Sequence, residues 1–550
     1  MKSVAVEGSV VSSSIGRRPF LVSALAGAST VLFSWTDARS QSAAKVLRIG
    51  MTLSDIPLTT GQANQGAEGI RFTNMILYDS LVRWDLSQSQ VPTKHVPSLA
   101  VSWSVDNATH NVWTFKLREN VKFIDGSPFN AHSVIWNFEK LTKPDAPQYD
   151  KLQSTQALNY FTTIKSFRAV DDLTVEITTH SPDATLLYSM TNIYYSSPAR
   201  WEAAGRDWNK FAFNPSGTGP WKLTKLVPRD RAEMVPNPTY WDKTRVPHCD
   251  LVLRPMPDAT TRVAALLAGQ VDFIEAPAPD AVPQLKAAGM HIVTNVYPHI
   301  WPYMLNHMET SPFHDVRVRK AANLAIDRDG LVKLLGGLAV PAKGHYPPNH
   351  PWFGKPSFDI KYDPDGARKL LEKVGYGPKN PLKVKFLMSA AGSGQMQPVP
   401  MNEFIQENMR DAGFDVSLET LDWEALRGHR IKGAENPENK GVDGINYSWS
   451  VQEPIFGLIG QTWHGKMRTA GYNWGNMADP KADELAANAL KGFGEGELDR
   501  RMAALHSYLV DQAMWIWVVH DLNPRALSPH VHGFVQAQNW FQDLTPIRIE

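Results

Sequence analysis

One cysteine, Cys249, stands in 550 residues, so no internal disulfide holds this chain together. It sits in VPHCDLVLRP, just before a strand-like run, which predicts a buried structural thiol. An excess of either charge is missing too, since 56 Lys and Arg face 55 Asp and Glu. That balance excludes a broad electrostatic grip on nucleic acid or anionic lipid, so no nucleic-acid partner is expected. After the first 43 residues no run approaches the ~18 apolar residues of a membrane span. Signatures of catalysis are absent as well: no GxSxG, no HExxH, no P-loop and no spaced Cys/His cluster. The glycines of AGSGQMQ and GFGEGE are not set between strand and helix, which makes them loop glycines. The reading is a non-enzyme with no cofactor and no metal site. Its 17 His are scattered; His345 and His350, in the Pro-rich HYPPNH, are predicted to be exposed.

What is present begins with a leader. Arg17 and Arg18 precede apolar and small residues from Phe20 to Trp35, and small-x-small candidates such as Ala38-Arg39-Ser40 close the stretch. This is a signal-peptide layout over residues 1–43. Arg-Arg-Pro-Phe-Leu resembles a twin-arginine export signal, with Gly16 where Ser or Thr is commoner. The apolar run is short and rich in Gly, Ala and Ser, which argues against an anchor. No cysteine near the cleavage region offers a lipid attachment point. The expected address is the periplasm, with roughly 500 residues left to form two or three structural units.

The remaining sequence alternates strand and helix patterns. Val101, Trp103 and Val105 alternate with serines, and Trp113, Phe115 and Leu117 alternate with polar residues, which predicts a half-buried antiparallel pair. In RENVKFIDGSPFNAHSVIWNFEKL, Asp125-Gly126 makes a turn and Asn130 caps a helix with Val134, Ile135, Phe138 and Leu141 as its stripe. Asp315 and Asp327 are predicted helix caps. Asp363-Pro364 opens a helix that Gly375 ends. Pro/Gly-rich joints interrupt the pattern at 214–221, 276–283 and 341–356, and no internal repeat is visible. The pattern is mixed α/β throughout.

Several blocks occur in a telling order: VPSLAVSWSVDNATHNVWTFKLRENVKFIDGSPFNAHSVIWNFEKL, PSGTGPWKL, NPTYWDKTRVPHCDLVLRPMPDATTRVAALLAGQVDF, SPFHDVRVRKAANLAIDRDGLVKLLGG and YDPDGARKLLEKVGY. With them the chain resembles family 5 of the bacterial extracellular solute-binding proteins, the peptide/nickel group that feeds ABC importers. The resemblance implies an α/β fold of two lobes with a ligand cleft at the hinge. Lobe one is placed at 44–300 with a subdomain near 86–210, lobe two at 301–517, and a return to lobe one at 518–550. Two hinge strands are implied, carrying Trp301 and Asn306 on one and Trp515 and Val518 on the other. The block containing Asn130 is read as scaffold that does not touch ligand. The partners implied are a small organic solute (peptide, opine or sugar) and an inner-membrane permease, with the protein a monomer. Rival readings are a metal-chelate binder of the nickel type, where His464 would meet a chelate's carboxylate, and a sensor-linked binding protein.

The expected ligand region is INYSWSVQEPIFGLIGQTWHGKMRTAGYNWGN. Tyr447, Trp449, Trp463 and Trp474 are candidate walls for an organic ligand. Trp423 and Arg427, in LDWEALRGHR, are placed near the cleft by the resemblance, with Arg427 a candidate carboxylate holder. In peptide-binding relatives an Asp follows the Trp of this loop and pairs with the peptide's amine. Here Trp449 is followed by Ser450, Val451, Gln452, Glu453 and Pro454. Ser450 and Glu453 complete the candidate set, Glu453 as the nearest carboxylate.

Overall fold

The computed structural model describes residues 45–377, 379–392, 394–465 and 471–550. The leader 1–43, with its export motif, lies outside the described residues.

Local signals set the helix starts. Asn130 accepts from the Ser133 amide at 3.0 Å while Ser133 Oγ accepts from the Asn130 amide at 3.1 Å, a reciprocal cap for Ala131–Thr142. Asp315, Asp327 and Asp363 each accept a backbone N–H in the first turn of the helix that follows. Gly375 ends the turn after Pro364–Glu372 with φ +88°, a conformation that a Cβ disfavours. The strand Ala100–Val105 differs from its sequence pattern. A register shift between Ala100 and Ser102 turns Val101 out to solvent, whereas Trp103 and Val105 stay half-buried.

Two large sheets organise the described residues. The first runs, in spatial order, His291–Val293, Arg525–Leu527, Phe273–Glu275, Val46–Met51, Asp250–Pro255, Arg231–Pro236 and Trp221–Val227. Val46–Met51 is parallel to both of its neighbours. The second runs Ala339–Pro341, Trp515–Asp521, His299–Leu305, Gly444–Asn446, Leu382–Ser389 and Phe414–Leu421. Trp449–Ser450 pairs onto the start of His299–Leu305, with Ser450 opposite His299. A separate four-stranded antiparallel sheet spanning residues 100–179 forms the subdomain, with Phe115, Phe138, Val175 and Ile177 in its core.

The chain therefore crosses between the large sheets twice. It leaves the first after Val293 and enters the second at His299, then leaves the second after Asp521 and rejoins the first at Arg525. Trp301, Asn306, Trp515 and Val518, read from sequence as hinge positions, sit within or at the end of second-sheet strands, and the crossings fall at 294–298 and 522–524. The return accordingly begins after Asp521 rather than at 518, because Val518–Asp521 still pair with Ala339–Pro341 and His299–Leu305. At the mouth of both crossings His299 Nδ1 lies 3.0 Å from Asp521, and His520 Nδ1 donates to the His299 carbonyl at 2.6 Å. Burial lowers His520 to about 4, so its ring is neutral at pH 7.

Candidate functional site

The C-terminal ends of the parallel strands in the two sheets open onto the same interlobe space, the usual place for ligands in open α/β sheets. One cavity of about 180 Å³ lies there. Its lobe-two wall comes from the helix Trp423–Lys432 and the segment 447–456. Its opposite wall comes from the turn and helix at 62–70, from Thr155, Gln156, Asn159 and Tyr160 of the subdomain, and from Trp540 and Phe541 of the C-terminal return. Arg118–Leu141 contributes nothing to the lining, but a neighbouring helix of the same subdomain does.

The lobe-two wall is a row of rings. Trp423 stacks on Tyr447 with centroids 4.6 Å apart, Tyr447 meets Trp449 edge-on at 5.9 Å, and Trp449 stacks on Phe456 at 4.2 Å. Trp449 is 1% exposed, and its Nε1 donates to the Phe456 carbonyl at 3.1 Å. Arg430 lays its guanidinium 5.1 Å from the Tyr447 ring centre and 4.9 Å from that of Trp449. Such desolvated cation–π contacts contribute about 1–2 kcal/mol each. Trp423, Arg427 and Arg430 are spaced i, i+4 and i+7, which puts all three on one face of their helix. Arg427 is held at 2.9 Å by Glu424.

Glu453 is the acidic member of the lining and is 5% exposed. It caps the short helix Pro454–Gly457, one oxygen accepting from the Phe456 amide, while Oε1 has no hydrogen-bond partner. Burial pushes its carboxyl up to about 8, backbone N–H groups pull the other way, and the nearby Asp183 adds to the rise. Glu453 is therefore largely protonated at neutral pH.

Six of the eight ligand candidates read from sequence line this cavity: Trp423, Arg427, Tyr447, Trp449, Ser450 and Glu453. Trp463 and Trp474 are elsewhere, both buried in the lobe-two core, with Trp463 against the edge of Tyr472. His464 is 2.8 Å from Asp483 and is not part of the lining. In HYPPNH Pro348 and Asn349 are exposed, but the two histidines are not. His345 is fully buried, accepting from Trp517 Nε1 and donating to the Gly457 carbonyl, and His350 stacks on Tyr346 at 4.8 Å. Arg430, Gln452, His299 and the whole opposite wall escaped the sequence reading. Only Arg430 carried a usable signal, its helical spacing from Trp423 and Arg427.

Contacts across the cleft tie the walls together. Gln452 of lobe two accepts from the Trp540 amide at 3.0 Å. The Ala184 amide of the subdomain donates to Leu490 at 2.8 Å, and His110 stacks on Phe493 at 4.6 Å.

The family model for bacterial extracellular solute-binding proteins, family 5, matches residues 94–481. Heme-binding protein A of Haemophilus influenzae is 27% identical over 489 residues, covering 84% of each chain. Glutathione-binding protein GsiB of Pectobacterium atrosepticum is 28% identical over 442 residues, covering 77% of this chain and 80% of that protein. A solved dipeptide-binding protein from Pseudoalteromonas sp. SM9913, in complex with Met-Leu, superposes with a TM-score of 0.76 at 22% identity, over 92% of this chain and all of that one. That likeness shows the two-lobed periplasmic binding-protein fold. The chain belongs to family 5 of the bacterial extracellular solute-binding proteins, the periplasmic solute-binding components of ABC importers.

Proposed function

We propose that this interlobe cavity holds a small, dipolar, peptide-like solute and that the protein presents it, lobes closed, to an inner-membrane permease. The observation that carries this reading is the arrangement of charge along the ring row. Arg427 and Arg430 lie along the Trp423–Tyr447–Trp449 part of the wall, and Glu453 lies beside Phe456. A solute with a carboxylate and an ammonium finds a partner for each and a flat apolar surface between them. The ammonium would draw the proton from Glu453, because a charge brought close favours the ionised carboxylate. The names of relatives that bind glutathione and a dipeptide agree with this class.

Delivery follows from two states. Only contacts made in the closed form shift the equilibrium toward it, and the lobes with their two crossings at 294–298 and 522–524 are the bodies and the hinge of that motion. A micromolar solute supplies about −8 kcal/mol for binding and closure together. Nothing in this cycle changes the solute chemically, and the protein acts as a monomer. Export by the twin-arginine route, from Arg17-Arg18, is part of the same reading.

Native mass spectrometry of protein recovered from its own periplasm tests the assignment. A peptide-like mass bound one to one is the expected result. A bound sugar, a metal chelate, or a solute without amine or carboxylate overturns it.

A further inference from the structure

Trp540 and Ala184 each donate a backbone N–H across the cleft, but in different settings. Trp540, in the C-terminal return to lobe one, donates to Gln452 Oε1 at 3.0 Å. Ala184, in the subdomain, donates to the Leu490 carbonyl at 2.8 Å. The Trp540 contact stands beside the crossings, whereas no residue of either crossing takes part in the Ala184 contact.

The Trp540 ring is a lobe-one side chain seated in lobe two, and it is 4% exposed. His299, the first strand residue after the crossing at 294–298, stacks on it with centroids 4.9 Å apart. Tyr297, inside that crossing, meets it at 5.7 Å. Gly394, in the loop after Leu382–Ser389, completes the seat. A Cβ there would lie 3.0 Å from the indole and 2.7 Å from His299 Nε2, so the ring's approach requires a glycine.

Lobe one grips the same residue from behind. Arg71 donates to the Trp540 carbonyl at 3.2 Å, lays its guanidinium 5.0 Å from the ring centre and is itself paired with Glu275. Asn539 donates to Thr93 at 2.8 Å, and Asn295, inside the first crossing, donates to the Gln536 carbonyl at 2.7 Å. The segment 536–540 is thus bound to lobe one, to lobe two and to a crossing.

We propose that Trp540 is a third, non-covalent tie at the hinge: its ring stays seated in lobe two while the lobes open and close, and with the two covalent crossings it confines the motion to one path. Groups beside a hinge move least as the bodies turn about it. Burial decides against the opposite reading, a latch that parts at every opening. Removing an indole from water favours the seated form by roughly a hundred-fold or more. A latch of that strength would hold the unloaded clamp shut, and a shut clamp does not load. The Ala184 contact, with the half-buried His110–Phe493 pair close to it in sequence on the lobe-two side, is the one that parts. The tie rests on the hinged motion read above and not on the chemistry of the solute.

Two measurements on protein freed of solute decide. Hydrogen exchange resolved to single residues reads both amides together. Relative to free-chain rates, the Trp540 N–H should exchange at least ~100-fold more slowly than the Ala184 N–H. Equal or inverted protection overturns the tie. Fast exchange at both makes Trp540 a latch, and slow exchange at both means that the lobes do not part, which removes the hinged clamp as well. The second measurement is the distance distribution between nitroxides at Lys151→Cys and Lys440→Cys, two exposed positions on the subdomain and on lobe two, in a Cys249→Ser background. It should broaden at least ~1.5-fold in Trp540→Ala and in Gly394→Ala. Gly394 is outside the cavity lining, so an effect shared by both variants is not loss of the solute wall. Unchanged widths in both overturn the tie.

Discussion

The two walls of the interlobe cavity are built on different principles. The lobe-two wall is an edge of the hydrophobic core: Tyr447 and Trp449 belong to the same buried cluster as Trp515 and Trp517, so the surface that meets solute also holds the lobe together. The facing wall is mixed: Ile70, Trp540 and Phe541 belong to the other lobe's core, but amide and hydroxyl side chains such as Gln65, Thr155 and Asn159 sit on short helical turns and are half-buried or exposed. Recognition on the first side is therefore coupled to stability, and at these polar positions of the second it is nearly free of it.

Substitutions can break that contrast, beginning with the largest effect. Trp449→Ala removes a stacked, hydrogen-bonded ring from the core and should cost about 3–5 kcal/mol in urea unfolding. It should also weaken the co-purified solute by at least ~1 kcal/mol. A binding loss with unchanged stability would separate this wall from the core. Glu453→Gln probes the polar end of the same wall. The folded protein holds the Glu453 proton more tightly than the unfolded chain, its carboxyl standing at about 8 against an ordinary value near 4.5. Its contribution to stability is thus complete below 4.5 and is lost as pH rises through 8, at up to ~1.4 kcal/mol per pH unit. Wild-type stability should decline across pH 5–8 relative to Glu453→Gln, whose curve should be flatter. Parallel curves would mean that the buried carboxyl titrates normally.

The same contrast explains what could be read ahead of the structure. Helix caps at Asn130, Asp315, Asp327 and Asp363 are local, and residues within four positions of one another decide them. The ring row was visible because Tyr447 and Trp449 stand close together in sequence. Aromatic content did not separate wall from core, so Trp463 and Trp474 were placed with the others, although their rings face inward. HYPPNH looked like surface because Pro and Asn mark loops, yet Trp517, Gly457 and His506 supply its partners from more than 100 residues away. The opposite wall had no comparable sign. Trp540 reaches Gln65 and Asn159 only through the second crossing, which returns the chain to the first sheet.

Two smaller changes sharpen the comparison. Phe493→Ala removes the ring against His110 across the cleft and should lower solute affinity by about 0.5–1.5 kcal/mol through the open–closed equilibrium alone. A calorimetric titration that does not move would show that this contact does not help closure. Asn159→Ala, on the amide wall, should change stability by less than ~0.5 kcal/mol while weakening the solute by about three- to ten-fold. A clear drop in unfolding midpoint with intact binding would reverse the assignment of that wall.

Small-angle X-ray scattering of the protein freed of solute and again at saturation addresses the hinged clamp most directly. Contraction on saturation, with a smaller radius of gyration and a shorter maximum dimension, is the predicted result. Superimposable curves at full occupancy would contradict a cleft that closes around what it carries.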